Sequence, residues 1–228
     1  MKSHNPPRDG VAERRKGILR GASVLALAAL AVLLLLPNET SLGGIRGSAH
    51  DFSPLTENQE ICIYCHTPHN ANTTVTDAPL WNHRVTQKNY QVYNSPSLDA
   101  KVGQPSASSR LCLSCHDGTI AVDSFGGRSG VIFLGGSLAI GADELKNDHP
   151  ISFTYDDALA VKDGALFPPS STPSGLGGTI KKDLLRGDQM ECCSCHDVHN
   201  AASAAAVNDS LLLITRAQSK LCLTCHNK

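Results

Sequence analysis

Large apolar side chains are scarce in this sequence. Ten of its 228 residues are aromatic, and nineteen glycines and twelve prolines interrupt any long periodic pattern. A chain of this length fits one moderate domain or two small ones, and such domains need a sizeable apolar interior. The apolar side chains are too few to fill that interior, so the composition predicts that another material occupies part of the core.

Methionine and surplus basic charge are also missing beyond the N-terminal segment. From His50 onward, 13 lysines and arginines stand against 18 aspartates and glutamates, with no basic patch. This balance argues against nucleic acid as a partner. Met190 is the only methionine in that part of the chain, and no cysteine precedes Cys62. The missing cysteine excludes a lipoprotein anchor at the end of the N-terminal segment.

Residues 1–49 have the pattern of a signal peptide or membrane anchor followed by a short linker. Basic residues precede an unbroken run of small and aliphatic residues from Ala22 to Leu36. Fifteen residues at about 1.5 Å each fall short of a hydrocarbon core of about 30 Å, which favours an export signal over a spanning helix. The sequence therefore predicts export to the periplasm or the extracellular space. Retention as an anchor in the inner membrane stays an alternative, because the cleavage site is not well defined.

One pattern, C-x-x-C-H, occurs four times and predicts covalent attachment of c-type haem. Two cysteines one helical turn apart can bond the two vinyl groups of one porphyrin, and the next residue then directs its imidazole at the iron. The sequence thus predicts four haems c, bound at Cys62, Cys65 and His66, at Cys112, Cys115 and His116, at Cys192, Cys195 and His196, and at Cys222, Cys225 and His226.

Two other frameworks also use paired cysteines. Zinc ribbons contain C-x-x-C pairs but do not require a histidine after each second cysteine. Disulfides suit an exported protein but give the histidines no part to play. The fourfold motif favours haem over both. Cys193 lies outside the motif pattern, and it is either a small buried residue of the haem-binding turn or a free thiol able to cross-link chains.

The four motifs fall into two similar halves. Each half has a leading histidine, then C-x-x-C-H-x-x-H-N, then L-C-L-[ST]-C-H. The leading histidines are His50 and His149, and the second histidines of the x-x-H-N segments are His69 and His199. Three helical residues advance about 4.5 Å, so His69 and His199 stay on the same side of their own porphyrins as the proximal histidines. We therefore expect each of them to ligate the iron of the other haem of its pair.

His50 and His149 would then ligate the two remaining irons. The eight histidines predicted as iron ligands are His66, His116, His196, His226, His50, His69, His149 and His199. His83 is left over. It is either a hydrogen-bonded structural imidazole beside Trp81 or a ligand in place of His50 or His69.

Ligation by two histidines at every iron has a functional consequence. Methionine ligation is disfavoured because Met190 lies two residues from Cys192, too close to its own haem. Histidine gives a lower haem potential than methionine, and six-coordinate iron has no open position for a substrate. The sequence therefore predicts electron transfer along closely stacked haems and no enzymatic activity. A multihaem reductase with one open haem is the alternative.

Several segments resemble the doubled-CxxCH multihaem cytochromes c of dissimilatory, often metal-respiring, bacteria. They are GSAHDFS, CIYCHTPHN, PLWNH, LCLSCHDGT, NDHPISF, ECCSCHDVHN and LCLTCHNK. Some tetrahaem cytochromes of this kind polymerise into extracellular filaments in which a histidine of one subunit ligates a haem of the next. The resemblance implies other redox proteins, in particular other cytochromes, as partners. It also makes His50 a candidate for such a cross-subunit ligand if this chain forms a filament.

The expected fold is mostly irregular, with short helices at the C-x-x-C-H motifs and little β structure. Residues 50–125 would form the first two-haem module and residues 191–228 the second. Residues 126–190 would form a connection rich in glycine and proline that supplies a distal histidine. A helix is predicted over 209–226, with Asp209 or Ser210 as its N-cap. The apolar segment 126–141 is predicted as a loop packed on a porphyrin rather than as a strand pair.

Overall fold

The computed structural model describes residues 43–55, 59–76, 78–140, 144–199 and 211–228. Most of these residues lie in loops and turns, and the stretch from Leu42 to Lys228 forms one compact unit. The segment predicted as a signal peptide or anchor lies almost entirely outside the described residues. Within the described ranges, no helix combines the length and the apolarity that crossing a membrane requires.

Regular secondary structure is confined to short elements. The helices are α1 (Ala107–His116), α2 (Asp157–Asp163), α3 (Ile180–Leu184) and α4 (Lys220–Cys225), and the strands are β1 (Phe153–Thr154) and β2 (Gln189–Met190). Two of the motifs lie on 3₁₀ turns, Cys62–Tyr64 and Cys192–Ser194, and the other two lie on α1 and α4. The predicted fold class, mostly irregular with short helices at the motifs and little β structure, is confirmed.

Helix α1 carries the second motif and ends at its histidine. Ser106 precedes it in an extended conformation, and both Leu111 and Leu113 are buried. Beyond the helix, Gly118 has a φ of 71°, the left-handed conformation that commonly ends helices and that glycine adopts at low cost. The turn at Gly118 sends the chain back over the end of α1, so that residue 140 returns to His116.

The larger apolar core lies in the second half of the chain. Strands β1 and β2 pair antiparallel, with Phe153 opposite Met190, and both of these side chains are buried. Residues from α3 and from the chain after residue 210 pack against them, including Ile180, Leu184 and Ile214. Because β2 leads directly into the third motif, this core holds the start of that motif in place.

Three aromatic residues of the first half cluster near the first motif. Tyr64 is almost completely buried, with its ring centroid 5.5 Å from that of Phe52 and 4.6 Å from that of Phe125. Aromatic pairs at such distances contribute beyond the area that they bury. The cluster therefore ties the segment that contains His50 to the turn that carries Cys62 and Cys65.

The predicted helix over 209–226 is wrong for its described part. Residues 209 and 210, including both predicted N-caps, lie outside the described residues. From Leu211 onward the chain forms turns and a 3₁₀ segment, and only Lys220–Cys225 is α-helical. Gln218 and Ser219 have positive φ angles of 54° and 58°, which interrupt a right-handed helix. The predicted loop at 126–141 agrees with the structure, whose described part there contains one 3₁₀ turn, Gly136–Leu138, and no strand.

Candidate haem-binding site

The motifs on the two 3₁₀ turns and on α4 share one backbone geometry. In the first, the amide of His66 donates to the carbonyl oxygen of Cys62 at 2.8 Å. The amides of His196 and His226 make the same bond, at 3.0 Å and 2.9 Å, to the first cysteine of their own motifs. One turn of chain thus places each histidine over the first cysteine of its motif. This is the local arrangement that attachment of a single porphyrin requires.

None of the nine cysteines forms a disulfide. The described residues gather no group of three or more histidine, cysteine or acidic side chains such as a zinc ribbon needs. In the first and fourth motifs the first cysteine, Cys62 or Cys222, is exposed, whereas the second, Cys65 or Cys225, is partly buried. Burial raises the pKa of Cys65 to about 11 and that of Cys115 to about 12.

Successive motifs approach one another through their cysteines. A hydrogen bond with Cys192, together with burial, raises the pKa of Cys112, so these two thiols lie side by side. Electrostatic interactions also connect thiols of the first and second motifs and of the third and fourth. The joined pairs are Cys65 with Cys115, Cys112 with Cys192, and Cys225 with Cys195. Thiols of successive motifs therefore lie near one another, and the contact of His66 with His199 brings the first and third motifs together as well.

A buried carboxylate holds the second and third motifs together. Glu191 is 1% exposed and accepts hydrogen bonds from the hydroxyls of Ser109 and Ser152, the latter at 2.9 Å. Ser109 Oγ in turn accepts the amide of Cys192 at 2.9 Å. The sequence analysis missed this network. One signal for it was present in the sequence. Glu191 precedes Cys192, whereas the apolar Ile61 precedes Cys62 at the equivalent position of the first half.

Three pairs of histidine rings lie at similar distances from each other. The ring centroids are 6.0 Å apart for His50 and His116, 6.1 Å for His66 and His199, and 6.4 Å for His149 and His226. A metal–nitrogen bond of about 2 Å, plus about 1.1 Å from the nitrogen to the ring centre, puts two axial imidazoles about 6 Å apart. Each distance is therefore close to the one that an iron between two imidazoles requires.

Three of these histidines have an Nδ1 contact that leaves Nε2 available to a metal. Nδ1 of His66 lies 2.5 Å from the carbonyl oxygen of Pro79, and Nδ1 of His116 lies 2.8 Å from that of Leu138. Nδ1 of His149 lies 2.9 Å from the carbonyl oxygen of Pro150. A carbonyl only accepts, so Nδ1 carries the proton and Nε2 is left with a free lone pair. This tautomer is the one that a metal-bound histidine adopts when its other nitrogen is held by a carbonyl.

An apolar segment lies beside the second motif. The amide of Ile140 donates to the carbonyl oxygen of His116 at 2.8 Å, which fixes the end of this segment. Its side chains are exposed to an unusual degree for their size, 80% for Val131, 56% for Phe133 and 61% for Leu138. Exposed apolar side chains next to a C-x-x-C-H motif are compatible with a surface that a porphyrin covers.

The observed pairing of histidines differs from the predicted one. The sequence analysis paired His199 with the haem of His226, but the structure places it against His66 of the other half. It also assigned His69 to the haem of His116, but His50 occupies that place. The cause is a long-range contact, since the amide of Gly44 donates to the carbonyl oxygen of His199 at 2.6 Å and brings the leading segment to the third motif.

His69 and His83 have different surroundings. His69 is exposed, and the hydrogen bonds described for it are those between its backbone and Thr67. His83 is 3% exposed, and its Nδ1 and Nε2 each lie 3.0 Å from a backbone carbonyl oxygen, those of Arg84 and Ala121. Because both of its nitrogens are engaged, this geometry favours the structural imidazole over the ligand.

Cys193 packs against helix α1. Its Sγ lies 3.0 Å from the hydroxyl oxygen of Ser108, and the side chain is partly buried. This environment favours the hypothesis of a packed residue within the haem-binding turn over that of a thiol available to another chain.

A comparison with known protein families agrees with this geometry. Residues 186–228 match the family described as doubled CXXCH motif. No curated protein matches the chain. The matched region contains the third and fourth motifs, and the CXXCH motif indicates covalently bound c-type haem and a role in electron transfer. The chain thus carries the paired haem-attachment motif of proteins like the multihaem c-type cytochromes.

Proposed function

We propose that this protein is an exported tetrahaem cytochrome that carries electrons along a row of bis-histidine haems. The observation that supports this most is the set of three histidine pairs. The distance between the ring centroids of each pair is close to that between two axial imidazoles of one iron. Each pair includes the histidine of one C-x-x-C-H motif. The proximity of thiols in successive motifs supports haems that lie close enough together for electron transfer.

The ligand set follows two rules. The leading histidine of each half pairs with the second motif of the same half, as in His50 with His116 and His149 with His226. The histidine of the x-x-H-N segment pairs with the first motif of the opposite half, as in His199 with His66. Since the halves are duplicates, the second rule assigns His69 to the haem bound at Cys192, Cys195 and His196. The first motif of each half would then receive its distal histidine from the other half.

The haem supplies a reversible one-electron change between Fe(III) and Fe(II). The chain holds the imidazoles in place through the hydrogen bonds at Nδ1, which keep the rings oriented in both oxidation states. Two histidines at each iron leave no coordination position for a substrate, so we propose electron transfer and no enzymatic reaction. A reductase would need one of these pairs to be open.

Electrons would enter and leave at the ends of the row. Cys62 of the first motif and Cys222 of the fourth are exposed, whereas Cys112 and Cys192 of the middle motifs are partly buried. We therefore propose that other redox proteins, such as cytochromes, dock near the first and fourth motifs. The position of His50 against His116 of the same chain gives it a partner without a second subunit. Filament formation by ligation through His50 is therefore the less favoured alternative.

Electron paramagnetic resonance of the oxidised holoprotein, produced in a host that matures c-type cytochromes, tests the ligand set. The wild type should show low-spin iron alone. His149→Ala and His199→Ala should each convert about one haem in four to high-spin iron. His83→Ala is the matched control and should convert none. High-spin iron in the wild type would contradict the proposal and support a reductase.

A further inference from the structure

The two x-x-H-N segments are duplicates that differ at one charged position. The first is C-H-T-P-H-N and the second is C-H-D-V-H-N, so that Thr67 corresponds to Asp197. Both residues stand two positions before the second histidine of their segment. The rest of the pattern is shared except for one apolar position. The substitution therefore places a carboxylate beside one of two equivalent histidines.

The carboxylate of Asp197 is directed at His199. Its Oδ1 accepts the backbone amide of His199 at 2.9 Å and lies 3.6 Å from Nδ1 of the same imidazole. The backbone of Asp197 is fixed by its own amide, which donates to the carbonyl oxygen of Leu211 at 2.9 Å. The hydroxyl of Thr67, by contrast, donates to the backbone oxygen of His69 at 2.8 Å and carries no charge.

The ring that faces Asp197 belongs to the most nearly parallel histidine pair. His199 and His66 are stacked with an interplanar angle of 23° and a centroid distance of 6.1 Å. Their outer nitrogens meet different groups, since Nδ1 of His66 contacts the carbonyl oxygen of Pro79 and that of His199 faces a carboxylate. His116 and His149 resemble His66, because their Nδ1 atoms also contact carbonyl oxygens. Asp197 therefore gives this pair an electrostatic environment of its own.

At 3.6 Å the Asp197 carboxylate is too far from Nδ1 of His199 for a hydrogen bond, so it acts on this histidine pair through its charge. A nearby negative charge favours the more positive oxidation state of the iron. We propose that Asp197 is a tuning residue that lowers the reduction potential of the haem bound at Cys62, Cys65 and His66 below that of its duplicate at the third motif. This inference rests on the proposed function. It adds a difference in reduction potential between the haems of the first and third motifs.

Spectroelectrochemical titration of the holoprotein measures this effect. In Asp197→Asn, one of the four midpoint potentials should rise by about 59 mV, the value for a tenfold change in a one-electron equilibrium. The other three should stay near their wild-type values, and Asp197→Glu should restore the original potential. Asp99→Asn removes the same charge from an exposed pair with Lys162, 3.1 Å away, and should leave all four potentials in place.

The reverse substitution tests the idea independently. Thr67→Asp places a carboxylate beside His69, and it should lower the potential of the haem at the third motif and reduce the difference between the two duplicates. If either variant keeps four low-spin haems but changes no potential, the tuning role is wrong and the proposed function stands. High-spin iron in Asp197→Asn would also contradict tuning, because Asp197 would then orient His199 rather than act through its charge.

Discussion

The buried carboxylate between the second and third motifs gives a prediction about stability. Replacing Glu191 by alanine removes the acceptor of the Ser109 and Ser152 hydroxyls, which are 0% and 8% exposed. A buried hydroxyl without a partner costs about 1–3 kcal/mol. Removing the Glu191 carboxylate also removes the cost of burying its charge, which offsets part of the cost of the two unpaired hydroxyls. We therefore expect the free energy of unfolding to fall by about 3 kcal/mol, taking two such hydroxyls at the middle of this range less that relief.

Thermal unfolding of the oxidised holoprotein, followed by far-ultraviolet circular dichroism, measures this loss. In a domain of this size, about 1 kcal/mol moves Tm by about 2–4 °C, so Glu191→Ala should lower Tm by about 6–12 °C. Glu191→Gln keeps one acceptor oxygen and should have an intermediate Tm.

The matched control is Asp157→Asn. Asp157 is an exposed carboxylate that accepts the hydroxyl of Ser170 at 2.5 Å, so the chemistry is similar and the burial is not. Its Tm should change much less, because water can replace the lost hydrogen bond. A Tm for Glu191→Ala equal to that of this control would refute the claim that the buried network stabilises the junction between the two halves.

Two further predictions concern a spare thiol and a buried imidazole. Cys193→Ser should keep every haem because Cys193 lies outside the motif pattern, whereas Cys195→Ser should weaken or abolish attachment at the third motif; a pyridine haemochrome assay that finds equal losses would contradict this assignment. Burial, with smaller contributions from neighbouring histidines, lowers the pKa of His50 from 6.5 to about 4. Below about pH 6.5 the unfolded chain binds a proton at His50 that burial, and iron ligation in the holoprotein, exclude from the folded chain, so stability should fall as the pH falls. Urea unfolding at several pH values should show this dependence, and His50→Ala should show less of it; an unchanged dependence would rule out His50 as a contributor.

Local features of the fold could be predicted from the sequence. The C-x-x-C-H motif fixes the spacing of two thiols and an imidazole within one turn of chain, and Cys62–Tyr64 and Cys192–Ser194 form such turns. The scarcity of aromatic residues and the frequency of glycine and proline predicted a mostly irregular chain. These properties depend on neighbours in sequence, so no knowledge of the tertiary structure was needed.

Long-range features could not be predicted in the same way. The pairing of His199 with His66 depends on how the two halves meet, and a repeat pattern is equally compatible with ligation within each half. The Glu191 network brings together serines from α1 and from the start of β1, which are distant in sequence. The error at 209–226 has a local cause, because apolar spacing does not reveal that Gln218 and Ser219 adopt left-handed conformations.

The central claim is that the four C-x-x-C-H motifs each bind one haem. Intact mass spectrometry of the protein from a host that matures c-type cytochromes, followed by peptide mapping, tests it most directly. The account predicts four covalent haems per chain, one on each of the peptides that contain Cys62, Cys112, Cys192 and Cys222. Fewer than four haems on a folded chain, or zinc bound at these thiols, would contradict it.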